Sequence, residues 1–281
     1  MYKRILTIQD ISCFGQCSLT VALPILSACG LETVILPSAV LSTHTMGFTG
    51  FTVRDLSADI PAIAAHWKKE GISFDAVYTG YLGSAEQIEY VKDIMANLGR
   101  KDFLRIVDPA MADMGKLYPA FDMTYVGEMK KLCAVADIIL PNITEACFLT
   151  DVKYREQYDM EWIKVLVEKL HAIGSKVVVL TGVSFSEEKT GVLVSEKKDG
   201  QTEIRYYEHR KISKGCHGTG DVYASAFCGA YLQGHSLLDS AKIAADYVVE
   251  CIEATQEDPE HTYGVKFELR LPLLIQRVFG N

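Results

Sequence analysis

The stretch Lys214-Gly215-Cys216-His217-Gly218-Thr219-Gly220-Asp221 precedes a run of small residues, 222–230, that is typical of a buried helix. Glycine permits close backbone approach, and the free N–H groups at a helix start point outward, so this turn can hold an anion. Asp221 would lie beside that anion and could accept a proton from an attacking hydroxyl. The pattern favours phosphoryl transfer, in which one turn stabilises charge and also supplies a base.

An isolated turn of this kind is equally compatible with Thr219 and Asp221 acting only as helix caps. The chain upstream is therefore decisive. Short apolar runs alternate there with segments of helical periodicity, which predicts crossover units around a mainly parallel sheet. The predicted strands are residues 4–8, 33–36, 76–79, 104–107, 138–140 and 176–180. Ligands bind beyond the carboxyl ends of parallel strands, so these ends are expected to meet at one crevice.

Helices are predicted at residues 18–29, 57–69, 84–98, 160–173, 218–232, 237–253 and 267–278. Several of these helices begin at a serine, such as Ser18 or Ser84, that can cap free backbone N–H groups. Residues 191–195 and 203–207 alternate like an antiparallel pair around a turn that contains Asp199-Gly200. This pair predicts a hairpin that extends the edge of the sheet. No linker divides the chain, so we expect a single domain over residues 1–281.

Composition narrows the classes of function. The chain has 281 residues, of which 49% are hydrophobic, enough for a sizeable core. A net charge of -8 and a pI near 5.4 argue against a nucleic-acid partner. The first apolar stretch is too short to span a bilayer and too interrupted for a signal peptide, which favours a cytoplasmic protein with no membrane partner. The eight cysteines include no Cys-x-x-Cys pair, as is typical of reduced structural thiols.

Further motifs follow the predicted strand ends in a defined order. They are Ile8-Gln9-Asp10 through Phe14-Gly15, Leu41-Ser42-Thr43-His44-Thr45, Thr79-Gly80-Tyr81, Asp108-Pro109 with Asp113, and Pro141-Asn142-Ile143-Thr144-Glu145. Together with the glycine turn, this set resembles the pyridoxal and pyridoxamine kinases, a branch of the ribokinase-like superfamily, over nearly the whole chain. The resemblance implies a three-layer α/β fold with a mainly parallel central sheet flanked by helices. It also implies a homodimer.

The resemblance further implies Mg·ATP-dependent phosphorylation of the 5′-hydroxymethyl group of a vitamin B6 compound, which yields the 5′-phosphate and ADP. Asp221 would take the hydroxyl proton, and the amides of Gly218, Thr219 and Gly220 would stabilise the transferring phosphoryl group. The positions that match the family's substrate contacts are Asp10, Cys17, Leu41, Thr45 and Tyr81. Tyr81 would stack on the substrate ring, although simple packing of a tyrosine at a strand end is the alternative.

The positions that match the family's ATP site are Asp108, Asp113, Asn142, Glu145, Thr181 and Gly182. Asp108 and Glu145 would hold Mg²⁺ through water, since carboxylates are the hard oxygen ligands that this ion takes. For Asn142 and for the three carboxylates Asp108, Asp113 and Glu145, capping or surface solvation is the alternative. His44 and His217 are candidate second acids or bases, but histidines near loops are often only hydrogen-bonded structural groups. Lys214 could reach a phosphate or simply lie in solvent.

This sequence departs from the family pattern at two positions. Many relatives have Thr before the Pro-Asn pair, where it contributes to a monovalent-cation site. Leu140 stands there and offers only a backbone carbonyl, which leaves a K⁺ requirement open. Vitamin B6 kinases commonly have Ser where this chain has Asp10. That carboxylate could pair with a substrate amine, with a protonated ring nitrogen, or with local backbone N–H groups.

Two other functions compete with this interpretation. A hydroxymethylpyrimidine or hydroxymethylpyrimidine-phosphate kinase shares the fold and often carries His-Gly-Thr-Gly, as at residues 217–220. In that family the next residue is typically Cys, so Asp221 favours the vitamin B6 interpretation. The other competitor is a non-catalytic binder of a vitamin B6 compound. Asp221 argues against it, because a binder needs no proton acceptor at the point of transfer.

Overall fold

The protein is described here by a computed structural model, which covers residues 2–212, 216–258 and 260–280. The strands are β1 (Arg4–Ser12), β2 (Glu32–Leu41), β3 (Val53–Asp55), β4 (Phe74–Thr79), β5 (Gly99–Val107), β6 (Ala112–Asp113), β7 (Lys116–Leu117), β8 (Ile138–Ile139), β9 (Val177–Val183), β10 (Lys189–Lys198) and β11 (Gln201–Arg210). The helices are α1 (Leu19–Ala28), α2 (Ile60–Lys69), α3 (Ala85–Asn97), α4 (Met123–Val135), α5 (Ile143–Thr150), α6 (Met160–Ile173), α7 (Thr219–Leu232), α8 (Leu237–Gln256) and α9 (Leu271–Phe279), with a 3₁₀ turn at Phe267–Arg270.

The main sheet has the strand order β11-β10-β9-β8-β5-β4-β1-β2-β3. Its central strands, from β9 to β2, pair in parallel, whereas β3, β10 and β11 pair antiparallel at the two edges. Helices α2 to α6 cover one face, and α1, α7, α8 and α9 cover the other. This arrangement confirms the predicted three-layer α/β fold with a mainly parallel sheet.

Both faces of the central strands are buried. On β4, Val77 packs into the core beneath α2 to α6, while Ala76 and Tyr78 pack into the core beneath α1, α7 and α8. A strand with two buried faces has no polar side, so it appears in the sequence as a short continuous apolar run. This explains why the parallel strands were recognisable without polar alternation.

The predicted edge hairpin is confirmed as β10 and β11, which pair along their whole lengths. Asp199 and Gly200 both have positive φ, 50° and 80°, as the tight turn of a two-residue hairpin requires. Helices α4 and α5 were not predicted. For α4 a signal existed in the Asp122 cap and the helical spacing of its buried residues, whereas α5 has 8 residues, too few for a clear period.

Three strands, β1, β2 and β9, extend beyond their predicted ends, and these corrections affect the candidate site. β2 runs to Leu41, so Leu41 lies within the strand rather than after it. β1 runs to Ser12, so Asp10 lies within the strand rather than after it. The strand continues because its pairing with β2 resumes beyond an irregularity between Gln9 and Ile11. β9 runs to Val183, so Thr181 and Gly182 also lie within a strand. None of the helices in the described residues is long and apolar enough to cross a membrane.

Candidate active site

The carboxyl ends of the parallel strands lie at one edge of the sheet, and the first turn of α7 lies near them. We distinguish two sides of this region. The β1 side comprises Asp10, Cys17, Ser18, Leu41 and Tyr81. The β8 side comprises Asp108, Met111, Asn142 and Glu145. The electrostatic influence of Asp221 on Asp108 and of Asp10 on Asp221 shows that the residues of α7 lie close to both sides.

The glycine turn that opens α7 has the shape that the sequence predicted for it. Gly218 occupies the N-cap position with φ 76°, and no side chain caps the helix. A Cβ atom at Gly218 would collide with the carbonyl oxygen of Gln16 and lie 3.4 Å from the Sγ atom of Cys17. Around Gly220, by contrast, a Cβ atom would meet nothing within 4 Å. The turn is therefore closely packed behind Gly218 and open at Gly220, where a group could approach the helix start.

Asp221 lies in the first turn of α7 and is partly buried. One of its oxygens, Oδ2, accepts a hydrogen bond of 2.9 Å from the backbone N–H of Ser18. Burial raises the pKa of Asp221 to about 6; the Ser18 hydrogen bond opposes this rise and the charge of Asp10 adds to it. A carboxylate with that pKa is ionised at neutral pH and accepts a proton more readily than an ordinary aspartate.

Asp10 lies at the irregularity in β1, a feature that commonly redirects a side chain beside a functional site. Its Oδ1 atom accepts a hydrogen bond of 2.6 Å from the hydroxyl of Ser18, and its Oδ2 atom accepts one of 3.1 Å from Ser12. Burial raises the pKa of Asp10, while hydrogen bonds from the two serines and from its own backbone N–H, and the nearby His44, lower it. Asp10 is thus a buried acceptor with two serine side chains as donors.

The other predicted substrate contacts of the β1 side differ in exposure. Leu41 ends β2 and is buried, and Cys17 is buried beside Gly218. Thr45 is exposed on the loop after β2. Tyr81 is partly buried, with its ring 5.3 Å from that of Phe121. Tyr81 therefore packs against an aromatic neighbour, with the two rings tilted by 34°.

Both ring nitrogens of His44 are engaged by the backbone. Nε2 lies 2.9 Å from the carbonyl oxygen of Tyr263, and Nδ1 accepts from the N–H of Met46 at 3.2 Å. The His44 ring also lies 5.5 Å from that of His217. Burial and repulsion from His44 lower the pKa of His217. His44 therefore ties two distant loops together, which supports a structural role over acid–base chemistry.

The β8 side is organised by a helix cap. Asn142 and Glu145 form a reciprocal capping box at the start of α5, in which each side chain accepts from the other's backbone N–H at 2.9 Å. Glu145 also accepts from the N–H of Met111 at 3.1 Å, and Asn142 donates to the carbonyl oxygen of Ala112 at 2.8 Å. The cap thus fixes the segment after β5 to the start of α5.

Two buried carboxyl groups lie close together on the β8 side. Burial raises the pKa of Asp108 well above its ordinary value, and the charges of Glu145 and Asp221 add to the rise. Burial also raises the pKa of Glu145 to about 8, against the lowering effect of its backbone hydrogen bonds. A divalent cation would relieve the repulsion between the carboxylates of Asp108 and Glu145. The donor set fits Mg²⁺, which is usually held by one or two carboxylates, water and substrate phosphates.

The described residues include no group of three His, Cys, Asp or Glu side chains that could hold a metal by themselves. Each Glu145 oxygen already accepts a backbone N–H group. Asp113 is exposed and accepts from the N–H of its neighbour Met114. The backbone N–H of Thr181 donates a hydrogen bond of 2.9 Å to the carbonyl oxygen of Pro141. Lys214 lies outside the described residues.

Ser18 is the site residue that the sequence misassigned. It was predicted to cap α1, and it does occupy the N-cap position, but its hydroxyl makes no capping bond. It contacts Asp10 instead. By comparison, Ser84 caps α3 as predicted by accepting from the N–H of Gln87. The sequence contains no signal for the Ser18 contacts, because Asp221 is 203 residues away.

The chain resembles known proteins both in sequence and in structure. The family model described as Phosphomethylpyrimidine kinase matches residues 23–265. The hydroxymethylpyrimidine/phosphomethylpyrimidine kinase of Bacillus subtilis (strain 168) is 28% identical over 89% of this chain and 82% of its own length. The thiamine biosynthesis bifunctional protein ThiED of Geobacter sulfurreducens is 31% identical over 66% of this chain. That match spans 36% of the bifunctional protein.

Solved structures match over almost the entire chain. A Bacteroides thetaiotaomicron VPI-5482 protein named as a phosphomethylpyrimidine kinase and crystallised with pyridoxal has a TM-score of 0.90 and 37% identity. It covers 98% of this chain and 96% of its own. The pyridoxal kinase of Lactobacillus plantarum has a TM-score of 0.89 and 31% identity, covering 98% and 97%. The pyridoxal kinase of Leishmania donovani, solved with ADP and pyridoxamine, shares the fold at a TM-score of 0.89 and 20% identity, covering 97% and 95%.

The fold and these matches define a small-molecule kinase. The chain belongs to the phosphomethylpyrimidine kinase family, whose model covers most of its length. Pyridoxal kinases and hydroxymethylpyrimidine kinases are both among its relatives, so the predicted resemblance to the vitamin B6 kinases is confirmed at this level.

Proposed function

We propose that the protein transfers the γ-phosphoryl group of Mg·ATP to the 5′-hydroxymethyl group of pyridoxamine, pyridoxal or pyridoxine. The products are the 5′-phosphate and ADP. Asp221 accepts the hydroxyl proton, and the N–H groups of Gly218, Thr219 and Gly220 stabilise the transferring phosphoryl group. The ring is bound by four residues of the β1 side and by Thr45; the four are Asp10, Cys17, Leu41 and Tyr81. The β8 side, together with Asp113, Thr181 and Gly182, binds the nucleotide phosphates.

The position of Asp221 carries this proposal. Its carboxylate is held at 2.9 Å by the Ser18 N–H, directly after a glycine turn that is open at Gly220. A base must be oriented towards the hydroxyl while the adjacent amides receive the developing charge, and one helix start can meet both needs. The pKa of about 6 leaves Asp221 ionised at neutral pH.

Two observations support ATP and magnesium in this proposal. The Leishmania donovani kinase of the same fold was solved with ADP. A divalent cation would stabilise the buried pair Asp108 and Glu145. When bound, such a cation would also neutralise charge on the phosphates. Leu140 is buried and offers only a backbone carbonyl, so a requirement for K⁺ stays open in this proposal. A cytoplasmic location and a homodimeric state stay predictions.

Vitamin B6 is favoured over a pyrimidine as substrate by Asp221, because pyrimidine kinases of this fold typically have Cys at that position. The Bacteroides thetaiotaomicron protein crystallised with pyridoxal, at 37% identity, supports the same choice. A hydroxymethylpyrimidine kinase is the second candidate, favoured by the family model and by the Bacillus subtilis relative.

A coupled ATP-consumption assay tests the proposal. Purified protein is supplied with pyridoxamine, pyridoxal, pyridoxine or hydroxymethylpyrimidine, and mass spectrometry identifies the phosphorylated product. We expect the highest kcat/KM with a vitamin B6 compound and phosphate on its 5′-oxygen. A higher kcat/KM with hydroxymethylpyrimidine would establish the second candidate. Binding of a vitamin B6 compound without ATP consumption would establish a non-catalytic binder.

A further inference from the structure

Ser18 contacts two carboxylates at once: that of Asp10 on the β1 side and that of Asp221 on α7. Its backbone N–H donates to Asp221 at 2.9 Å, and its hydroxyl donates to Asp10 at 2.6 Å. The serine is 5% exposed and Asp10 is also 5% exposed, so solvent offers little competition for either bond. One residue therefore sets the separation between the base and the buried acceptor.

The conformation of Ser18 is costly for a residue with a side chain. Its φ is 55° and its ψ is −129°, a combination outside the regions that L-residues ordinarily occupy. Glycine would adopt this conformation without a steric penalty. Residues held in such strained conformations are concentrated at functional sites, where the surrounding contacts compensate for the strain.

Helix capping does not explain the serine either. Ser18 stands at the N-cap of α1, where a serine side chain usually accepts a backbone N–H of the first turn. No such bond forms here. The Ser18 hydroxyl forms no capping hydrogen bond, and the backbone at Ser18 is strained. The hydroxyl donates to Asp10 instead.

We propose that Ser18 is a positioning residue that holds Asp10 and Asp221 as one unit, so that the group bound at Asp10 places the substrate hydroxyl against Asp221. The inference rests on the part of the proposed function that makes Asp221 the base. It goes beyond that function by assigning a shared orienting residue to substrate binding and to proton transfer. Ser18 itself touches neither the substrate nor the reacting atoms.

Two substitutions separate the hydroxyl from the strain. Ser18→Ala removes the hydroxyl and keeps both the N–H and the strain, whereas Ser18→Gly removes the hydroxyl and relieves the strain. Both should lower kcat/KM by roughly ten- to hundredfold, the scale of one hydrogen bond to a charged group. Thermal unfolding should give Ser18→Gly a Tm roughly 2–4 °C above that of Ser18→Ala. A purely structural serine would instead give the more stable variant the higher activity.

Ser12→Ala is the matched control. Ser12 donates to Asp10 at 3.1 Å but makes no contact with Asp221 among the bonds that the structure describes. Ser12→Ala should therefore raise KM while kcat changes by less than about twofold, whereas Ser18→Ala should change both KM and kcat. If Ser12→Ala and Ser18→Ala changed KM and kcat in the same proportion, the proposed link to Asp221 would be overturned.

A double-mutant cycle tests whether Ser18 acts through Asp10. In an Asp10→Ala background, Ser18→Ala should have less than about a third of its effect on log kcat/KM. Full additivity would overturn the proposal, as would wild-type kcat/KM for Ser18→Ala alone. The assays use whichever alcohol the wild type phosphorylates best, pyridoxamine or hydroxymethylpyrimidine. A wrong choice of substrate class in the proposed function would thus leave this test intact.

Discussion

The β1 side of the site is joined to the rest of the molecule by contacts between remote residues, whereas the β8 side is built around a local helix cap. Ser18 reaches Asp221 across 203 residues, and His44 reaches Tyr263 across 219. Asn142 and Glu145 are separated by 3 residues. The contacts of this cap to Met111 and Ala112 reach further, over 34 and 30 residues.

This difference affects how substitutions disturb the structure of each side. A local cap forms whenever its helix forms, so the β8 side should tolerate changes elsewhere in the chain. The β1 side also needs correct docking of α7 and of the loop around Tyr263. Substitutions on the β1 side should therefore alter specificity and turnover more than stability, and those on the β8 side should alter stability as well as activity.

The largest effect is expected at the residue that both sides share. Asp221→Asn should lower kcat by on the order of a hundredfold or more, since it removes the positioned base. The amide oxygen can still accept the Ser18 N–H, so the fold should persist. Steady-state kinetics and circular dichroism check this, with ATP affinity as the control. Near-wild-type kcat would exclude Asp221 from the mechanism.

On the β1 side, Asp10 should favour pyridoxamine over pyridoxal. Pyridoxamine carries a cationic aminomethyl group that a buried carboxylate can pair with, whereas the aldehyde of pyridoxal gains much less. A charge-assisted hydrogen bond contributes about 1.5–3 kcal/mol, or roughly a ten- to hundredfold preference. The measurement is the ratio of kcat/KM for the two substrates in wild type and in Asp10→Ser. An unchanged ratio would indicate that Asp10 pairs with a feature common to both, such as the ring nitrogen.

On the β8 side, Glu145→Ala should lower the free energy of unfolding by about 1–3 kcal/mol. It leaves the N–H groups of Met111 and Asn142 without their acceptor and removes one half of the capping box. Glu145→Gln is the matched control, because its single carboxamide oxygen keeps one of the two acceptors. Urea denaturation should show a smaller loss of stability in Glu145→Gln than in Glu145→Ala. Equal losses in the two variants would show that neither hydrogen bond of Glu145 stabilises this side by itself.

The smallest expected effect is on pH dependence. Asp221 must be deprotonated to act as a base, so kcat/KM should fall as the pH decreases through about 6, its raised pKa. The charge of Asp10 contributes to that rise, so in Asp10→Ser the acid limb should move to lower pH. Measurement of kcat/KM between roughly pH 5 and 8 checks both expectations, with coupling enzymes in excess as the control. An acid limb at the same pH in both proteins would contradict electrostatic coupling of the two carboxylates.

The same division explains which features the sequence predicted. The strands of the central sheet were recognised because two buried faces leave a continuous apolar run, and the edge hairpin because Asp199-Gly200 suits only a few turns. The end of β1 was placed too early. Gln9 and Asp10 are polar, and polarity ordinarily marks a strand end, but here pairing with β2 continues past the irregularity at Asp10.

Local patterns were thus sufficient for the layered fold and the glycine turn before α7, because each depends on neighbours within a few positions. The role of Ser18 was not accessible in this way. Its hydroxyl had a local use as a cap, and a different use was imposed when packing brought Asp10 and Asp221 within hydrogen-bond distance. A hydrogen bond between residues 203 apart has no local sequence pattern, since it exists only after the sheet and α7 have packed together.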